Sequence, residues 1–237
     1  MQLNNHPEIV FVLEGRTDRR FFAKMLLSDE EFEKFKKDKF GSACYNVEIK
    51  DKQILFKFYV AETKIKTNAE MQQVAVAVPQ GKIFIIQDAD LIKDGEGLVK
   101  TKERMEMIVE NQKTEFKRKA DYYIIAPLEN SADGNFEGNL EDLIIEELCK
   151  THDILGTVYH SDELKKLLDA ASKSTEKRSK HIKAYIASHC RFLSTNIDEI
   201  NSDIFHPQLD CIQKILETEK FVEMKQQIIE KINTLIN

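Results

Sequence analysis

Apolar and polar positions in the first half of the chain fall into runs that predict a sheet interleaved with helices. Ile9-Val10-Phe11-Val12-Leu13 and Ile83-Phe84-Ile85-Ile86 are short, unbroken and rich in branched residues. Such runs predict strands buried on both faces, over residues 8–13 and 82–87. Between them, Val47 and Ile49, then Ile54, Phe56, Phe58 and Val60, alternate with polar residues across 45–61. Asp51-Lys52 interrupts the alternation, which predicts a hairpin. Phe21, Phe22, Met25 and Leu26 recur at helical spacing, with Thr17 or Asp18 placed to cap that helix. The charged stretch 29–39 continues as helix or as an exposed connection. Met71, Val74 and Val78 mark a short helix capped by Asn68 and ended by Pro79-Gln80-Gly81. Met105, Ile108, Val109, Gln112 and Phe116 share a face of a helix over 100–119, and residues 122–127 form another strand halted by Pro127. Strands alternating with helices imply an α/β fold, a mostly parallel sheet with helices on its faces.

The texture changes after a loop over 129–139. Stripes beginning at Leu140, Leu164, Ile182 and Leu209, with a fifth over 221–236, predict helices almost throughout. No internal repeat or low-complexity linker separates the parts. The expected organisation is an α/β domain over 1–139 with a helical C-terminal portion over 140–237 packed on it.

Both buried runs end in carboxylates. The first passes into Glu14-Gly15-Arg16-Thr17-Asp18, the second into Gln87-Asp88-Ala89-Asp90. In open α/β sheets, the C-terminal strand edge is where ligands bind. Magnesium takes oxygen ligands, keeps several waters and needs only one or two carboxylates plus substrate phosphate. Asp88 and Asp90 would face opposite sides of an ideal strand, but a loop can turn both toward one ion. Glu14, on a neighbouring strand end, can complete the shell or act as general acid/base. Taken singly, each carboxylate also suits a plainer role, capping a helix or solvating a loop.

Charge limits what the chain can bind. Of its 237 residues, 35 are Lys or Arg and 41 are Asp or Glu, a net charge of −6. That argues against nucleic-acid binding by bulk charge, though not against a local basic surface beside a metal-neutralised site. Arg16 and Lys64 lie on the expected active edge, where they can meet substrate phosphate. Arg19 and Arg20 read as solvated or paired. The most basic stretch is 165–183, with seven Lys or Arg, and it is the best candidate for a nucleic-acid surface. Cys44, Cys149, Cys190 and Cys211 form no C-x-x-C pair, so they read as reduced thiols rather than a zinc site. No basic start followed by an apolar stretch opens the chain, and no apolar run approaches membrane-spanning length. A cytoplasmic protein is expected.

The order of these motifs resembles the Toprim family. That domain is shared by type IA and type II topoisomerases, bacterial primases and nucleases of the overcoming-lysogenization-defect group. Its pattern is a glutamate after the first strand and an Asp-x-Asp after a later one. Here Glu14 in Val12-Leu13-Glu14-Gly15 and Asp88-Ala89-Asp90 match it, and the resemblance spans about residues 8–130. It implies a Toprim-like Rossmannoid sheet, Glu14 as general acid/base, and Asp88 and Asp90 as ligands of magnesium or manganese. Gly138-Asn139-Leu140-Glu141-Asp142-Leu143-Ile144, the helical tail and Phe205-His206-Pro207-Gln208-Leu209-Asp210 narrow the resemblance to small stand-alone proteins related to those nucleases. In that setting Glu141 and Asp142 are candidate ligands of a second metal. They equally suit the first turn of a helix capped by Asn139.

Rival readings of Asp-x-Asp mostly fall away. No G-x-x-x-x-G-K-[ST] accompanies it, Lys93 stands where an EF-hand needs glycine, and Leu91-Ile92 follow where an aspartyl phosphatase continues Gly-Thr. Sugar-nucleotide transferases share the motif. No H-E-x-x-H or G-x-S-x-G occurs. The expected function is magnesium-dependent phosphodiester chemistry on nucleic acid, as a nuclease. The alternatives are a non-catalytic module binding nucleic acid or a partner protein, and metal-dependent phosphotransfer or hydrolysis on a nucleotide.

Overall fold

The computed structural model describes residues 6–38, 43–130, 135–151 and 210–237. The basic stretch 165–183, the stripes at Leu164 and Ile182, and Phe205-His206-Pro207 lie outside the described residues.

The chain divides into two compact units. One comprises Met1–Gln87, Lys102–Ile124 and Met224–Asn237; the other comprises Asp88–Thr101 and Ile125–Glu223.

The first unit is built on a five-stranded sheet in the order β2-β3-β1-β4-β5. Its strands are β1 (Glu8–Leu13), β2 (Tyr45–Ile49), β3 (Lys52–Val60), β4 (Lys82–Asp88) and β5 (Ala120–Ile125). β1 pairs parallel with β3 on one side and β4 on the other, while β2 runs antiparallel to β3. Lys50 and Asp51 both take positive φ, 49° and 63°, the geometry a two-residue hairpin turn requires. The mostly parallel α/β sheet expected from the alternating runs is therefore present, Rossmann-like in its layering.

Each sheet face has its own chemistry. On one, the Phe11 ring lies 4.9 Å from Phe56, 5.0 Å from Phe58 and 5.7 Å from Phe84. Helices α1 (Arg16–Leu26) and α2 (Asp29–Lys37) cover this side, with Phe35 set against Tyr45 and Phe58. The charged stretch 29–39 is thus an amphipathic helix whose Phe32 and Phe35 are buried. The other face is aliphatic. Val12, Ile83 and Ile85 pack with Met71 and Val74 of α3 (Asn68–Ala77) and with Met105 and Ile108 of α4 (Leu98–Thr114). α4 ends earlier than expected, so Phe116 lies beyond it and is 40% exposed. Lys117 turns there at φ 52°, and the Arg118 guanidinium donates to the Val78, Gln80 and Gly81 carbonyls.

α3 begins after Thr67, whose hydroxyl accepts from the Glu70 amide, so Thr67 rather than Asn68 is the cap. Near the C-terminus, Lys231 pairs with Asp121 at 3.0 Å and Gln227 accepts from the Tyr123 hydroxyl.

The second unit holds the loop after β4, the hairpin β6 (Leu128–Asn130) and β7 (Asn135–Glu137), and α5 (Leu140–Thr151). It also holds α6 (Asp210–Leu216) and the start of α7 (Glu219–Ile236). The hairpin replaces the plain loop expected over 129–139. Its strands are too short to show a hydrophobic period. No helix among the described residues is long and apolar enough to cross a membrane.

Candidate functional site

At the end of β1 the chain enters α1 almost at once. Gly15, not Thr17 or Asp18, is the N-cap, and Asp18 sits three residues into the helix. The Asp18 carboxylate accepts the Gly15 amide at 2.9 Å, so it serves the cap from inside the helix. Glu14, half-buried, is the residue between strand and cap. Ala61, just past β3, donates its amide to the Leu13 carbonyl at 2.8 Å, which ties the ends of β1 and β3 together. Lys64 follows three residues later and is buried, at 8% exposure. Arg16 is exposed at the first position of α1, where the helix dipole disfavours a cation. Arg19 bonds Asp38 at 3.4 Å and lies over the Phe35 ring, so its partner is Asp38 rather than the acidic segment 29–33 expected from sequence.

This strand edge includes the topological switch point. The connection leaving β1 runs to the phenylalanine face through α1, and the one leaving β4 runs to the aliphatic face through α4. β1 and β4 are neighbours, so their C-terminal ends flank the place where connections diverge. That is where open α/β sheets bind ligands.

In the second unit, Asp88-Ala89-Asp90 is fixed by its middle residue. Ala89 is fully buried. Its amide donates to the Ile125 carbonyl at 2.9 Å, and its carbonyl accepts from Gly97 at 2.9 Å and from the Thr101 hydroxyl at 3.4 Å. The 88–97 loop is therefore closed on its own start. Asp90 takes a left-handed φ of 58°, which aspartate tolerates better than most residues. It exchanges both backbone bonds with Gly138, at 2.9 and 2.8 Å. Gly138 has φ +102°, and a Cβ there would meet Asp142 Oδ2 at 2.9 Å and Leu128 at 3.1 Å, so glycine is required.

The same structure sets Asp88 at the start of α5. Asp88 Oδ1 accepts the Leu140 amide at 3.0 Å, a carboxylate at the positive end of a helix. Asn139 and Asp142 form a reciprocal cap: Asp142 Oδ2 accepts the Asn139 amide at 3.0 Å, and Asn139 Oδ1 accepts the Asp142 amide at 3.1 Å. Glu141 is buried, at 3% exposure, in the same turn. The fold thus brings Asp88 to the turn that carries Glu141 and Asp142, residues more than fifty positions away in sequence.

The donors of Asp88 and Asp90 fit a hard, oxygen-seeking cation. Among the described residues, no three of His, Cys, Asp and Glu gather into a metal-sized group. Magnesium completes a shell of one or two carboxylates with water and substrate oxygens, so that is the form of site the donors suit. Sequence reading missed the scaffold that holds this turn: Gly138 as backbone partner of Asp90, and Glu137, whose carboxylate accepts the Ile92 amide at 2.5 Å. Gly138 directly before a capping asparagine was the available signal.

No family model matches the chain, and no curated protein or solved structure matches it either.

Proposed function

We propose that the protein carries out magnesium- or manganese-dependent phosphodiester hydrolysis on nucleic acid, as a nuclease. The observation that carries this reading is the hydrogen-bonded Asp88-Ala89-Asp90 turn leaving β4, the strand that flanks the sheet's switch point together with β1. The Toprim-like order of Glu14 and Asp-x-Asp supports it. A cation held by Asp88 and Asp90 supplies charge stabilisation at the phosphoryl oxygen and a more acidic water. In this proposal Glu14, from the end of β1, accepts the proton that the attacking water loses. Arg16 and Lys64 offset phosphate charge, and Glu141 or Asp142 serves a second ion. The bond broken is between phosphorus and the leaving sugar oxygen, which takes up a proton.

The test is incubation of the full chain with DNA and RNA under magnesium or manganese, against EDTA. Metal-dependent cleavage is expected. Absence of cleavage, together with no cation binding by calorimetry, overturns the reading. A second reading is a non-catalytic module for nucleic acid or a partner protein, and the net charge of −6 favours the partner protein within it. Retention of nucleic acid without turnover, undiminished in EDTA, is its signature.

A further inference from the structure

Gln87 breaks the pattern of the strand that carries it. Ile83 and Ile85 point into the aliphatic core with Val12, Met105 and Ile108. Two residues on, the same face receives Gln87, which is 3% exposed. Neither its Oε1 nor its Nε2 has a hydrogen-bond partner among the described residues. A buried carboxamide without partners costs stability, and a native structure keeps one only for a reason. Stability alone would extend the apolar stripe with leucine or methionine.

The register supplies the reason. Val12 pairs with Ile85 across the parallel strands. Carried two residues past that last pair, the register would bring Glu14, in the bend that follows β1, level with Gln87, and both belong to one compact unit. Adjacent strands lie roughly 4.8 Å apart, so two long side chains at aligned positions are within reach through rotation of their own torsions. The Gln87 Nε2–H group is a neutral donor suited to a carboxylate. We infer that Gln87 is a positioning residue for Glu14, its carboxamide donating to the Glu14 carboxylate and holding it toward the strand edge. This rests on the reading of Glu14 as a working residue of the site.

The experiment uses the full chain labelled with ¹⁵N-glutamine, with the Gln87 side-chain amide assigned by its loss in Gln87→Leu. Glu14→Ala should move that resonance and speed its exchange with solvent, Glu14→Gln should do so less, and Asp18→Ala should leave it in place. An amide unmoved by Glu14→Ala, or moved equally by Asp18→Ala, overturns the inference. Gln87→Leu and Gln87→Met should unfold at the wild-type temperature or above it. In the hydrolysis assay they should lower kcat roughly ten- to a hundred-fold with little change in KM. Wild-type kcat in both variants also overturns it. If the amide responds to Glu14 but the wild type cleaves nothing, the pairing stands and the nuclease reading falls.

Discussion

The ends of β1 and β4 look alike in sequence, an apolar run stopped by acid, yet they are built differently. At β1 the strand passes within two residues into a helix, and the nearby aspartate, Asp18, is spent on the Gly15 amide. The fold asks little of the backbone there: Gly15 has an extended φ of −132°. At β4 the chain turns through a left-handed aspartate, exchanges bonds with Gly138 and places Asp88 on the first turn of a distant helix. At the first end the helix cap is local in sequence, and at the second a distant segment holds the backbone turn. Long-range scaffolding around two carboxylates suits a site, because residues held by packing and hydrogen bonds from outside are preorganised for a ligand.

The sharpest way to break this contrast is Asp88→Asn set beside Asp88→Ala. Asparagine keeps an oxygen for the Leu140 amide but removes the charge. Metal-dependent hydrolysis should fall by roughly two orders of magnitude or more in both, as for loss of a charged group acting on the transition state. Only alanine should also lower stability, by about 1 kcal/mol for the lost cap. Single-turnover assays and denaturant unfolding separate the two. Full activity in Asp88→Asn would reduce Asp88 to a helix cap.

Glycine substitutions compare the two ends directly. Gly138→Ala forces a side chain into left-handed backbone and against Asp142 and Leu128, and should cost about 1–3 kcal/mol. Gly15→Ala meets only Asp18 Oδ2, at 3.3 Å, in ordinary backbone, and should cost under about 1 kcal/mol. Urea midpoints with unchanged slopes measure both. Equal costs would sink the idea that the β4 end alone is held by tertiary strain. A smaller pair of effects comes from the carboxylates that serve caps. Asp18→Ala and Asp142→Ala should each lower stability by about 1 kcal/mol. Asp18→Ala should leave cleavage near wild type. If Asp142→Ala abolishes cleavage while Asp142→Asn does not, Asp142 works as a cap and not as a ligand.

Much of the sheet was legible because buried parallel strands are continuous apolar runs, and β1 and β4 are of that kind. The hairpin over 45–61 was legible because its alternation breaks at a turn. Boundaries were less so. Thr67 and Gly15 displaced Asn68 and Thr17 or Asp18 as caps, since the side chain that caps a helix depends on backbone angles that sequence does not display. The hairpin of β6 and β7 was invisible because three-residue strands carry no period. At the candidate site the acids were legible one by one. That Asp88 would bond the Leu140 amide was not, because the pairing spans two segments that share no local pattern.

The smallest effect tests the sheet that carries the strand ends. Tyr122 on β5 has its hydroxyl pushed up to about 12, first by burial and then by the carboxylates of Glu106 and Asp121. Tyr45 on β2 shifts the same way, by burial and by its bond to Asp38. Unfolded tyrosine ionises near pH 10. Below that pH neither state is ionised, and these residues leave stability unchanged. Between about pH 10 and 12 the unfolded chain gives up protons that the folded chain keeps, so stability falls as pH rises. Denaturant midpoints across that range, with tyrosinate absorbance as a second signal, should show the fall, and Tyr122→Phe should reduce it. The loss belongs to the sheet, so Gly138→Ala and Asp18→Ala should shift the curve without changing its pH dependence. A variant at either end that does change it would show that strand end and sheet are coupled, and the contrast between the ends would then have to include β5.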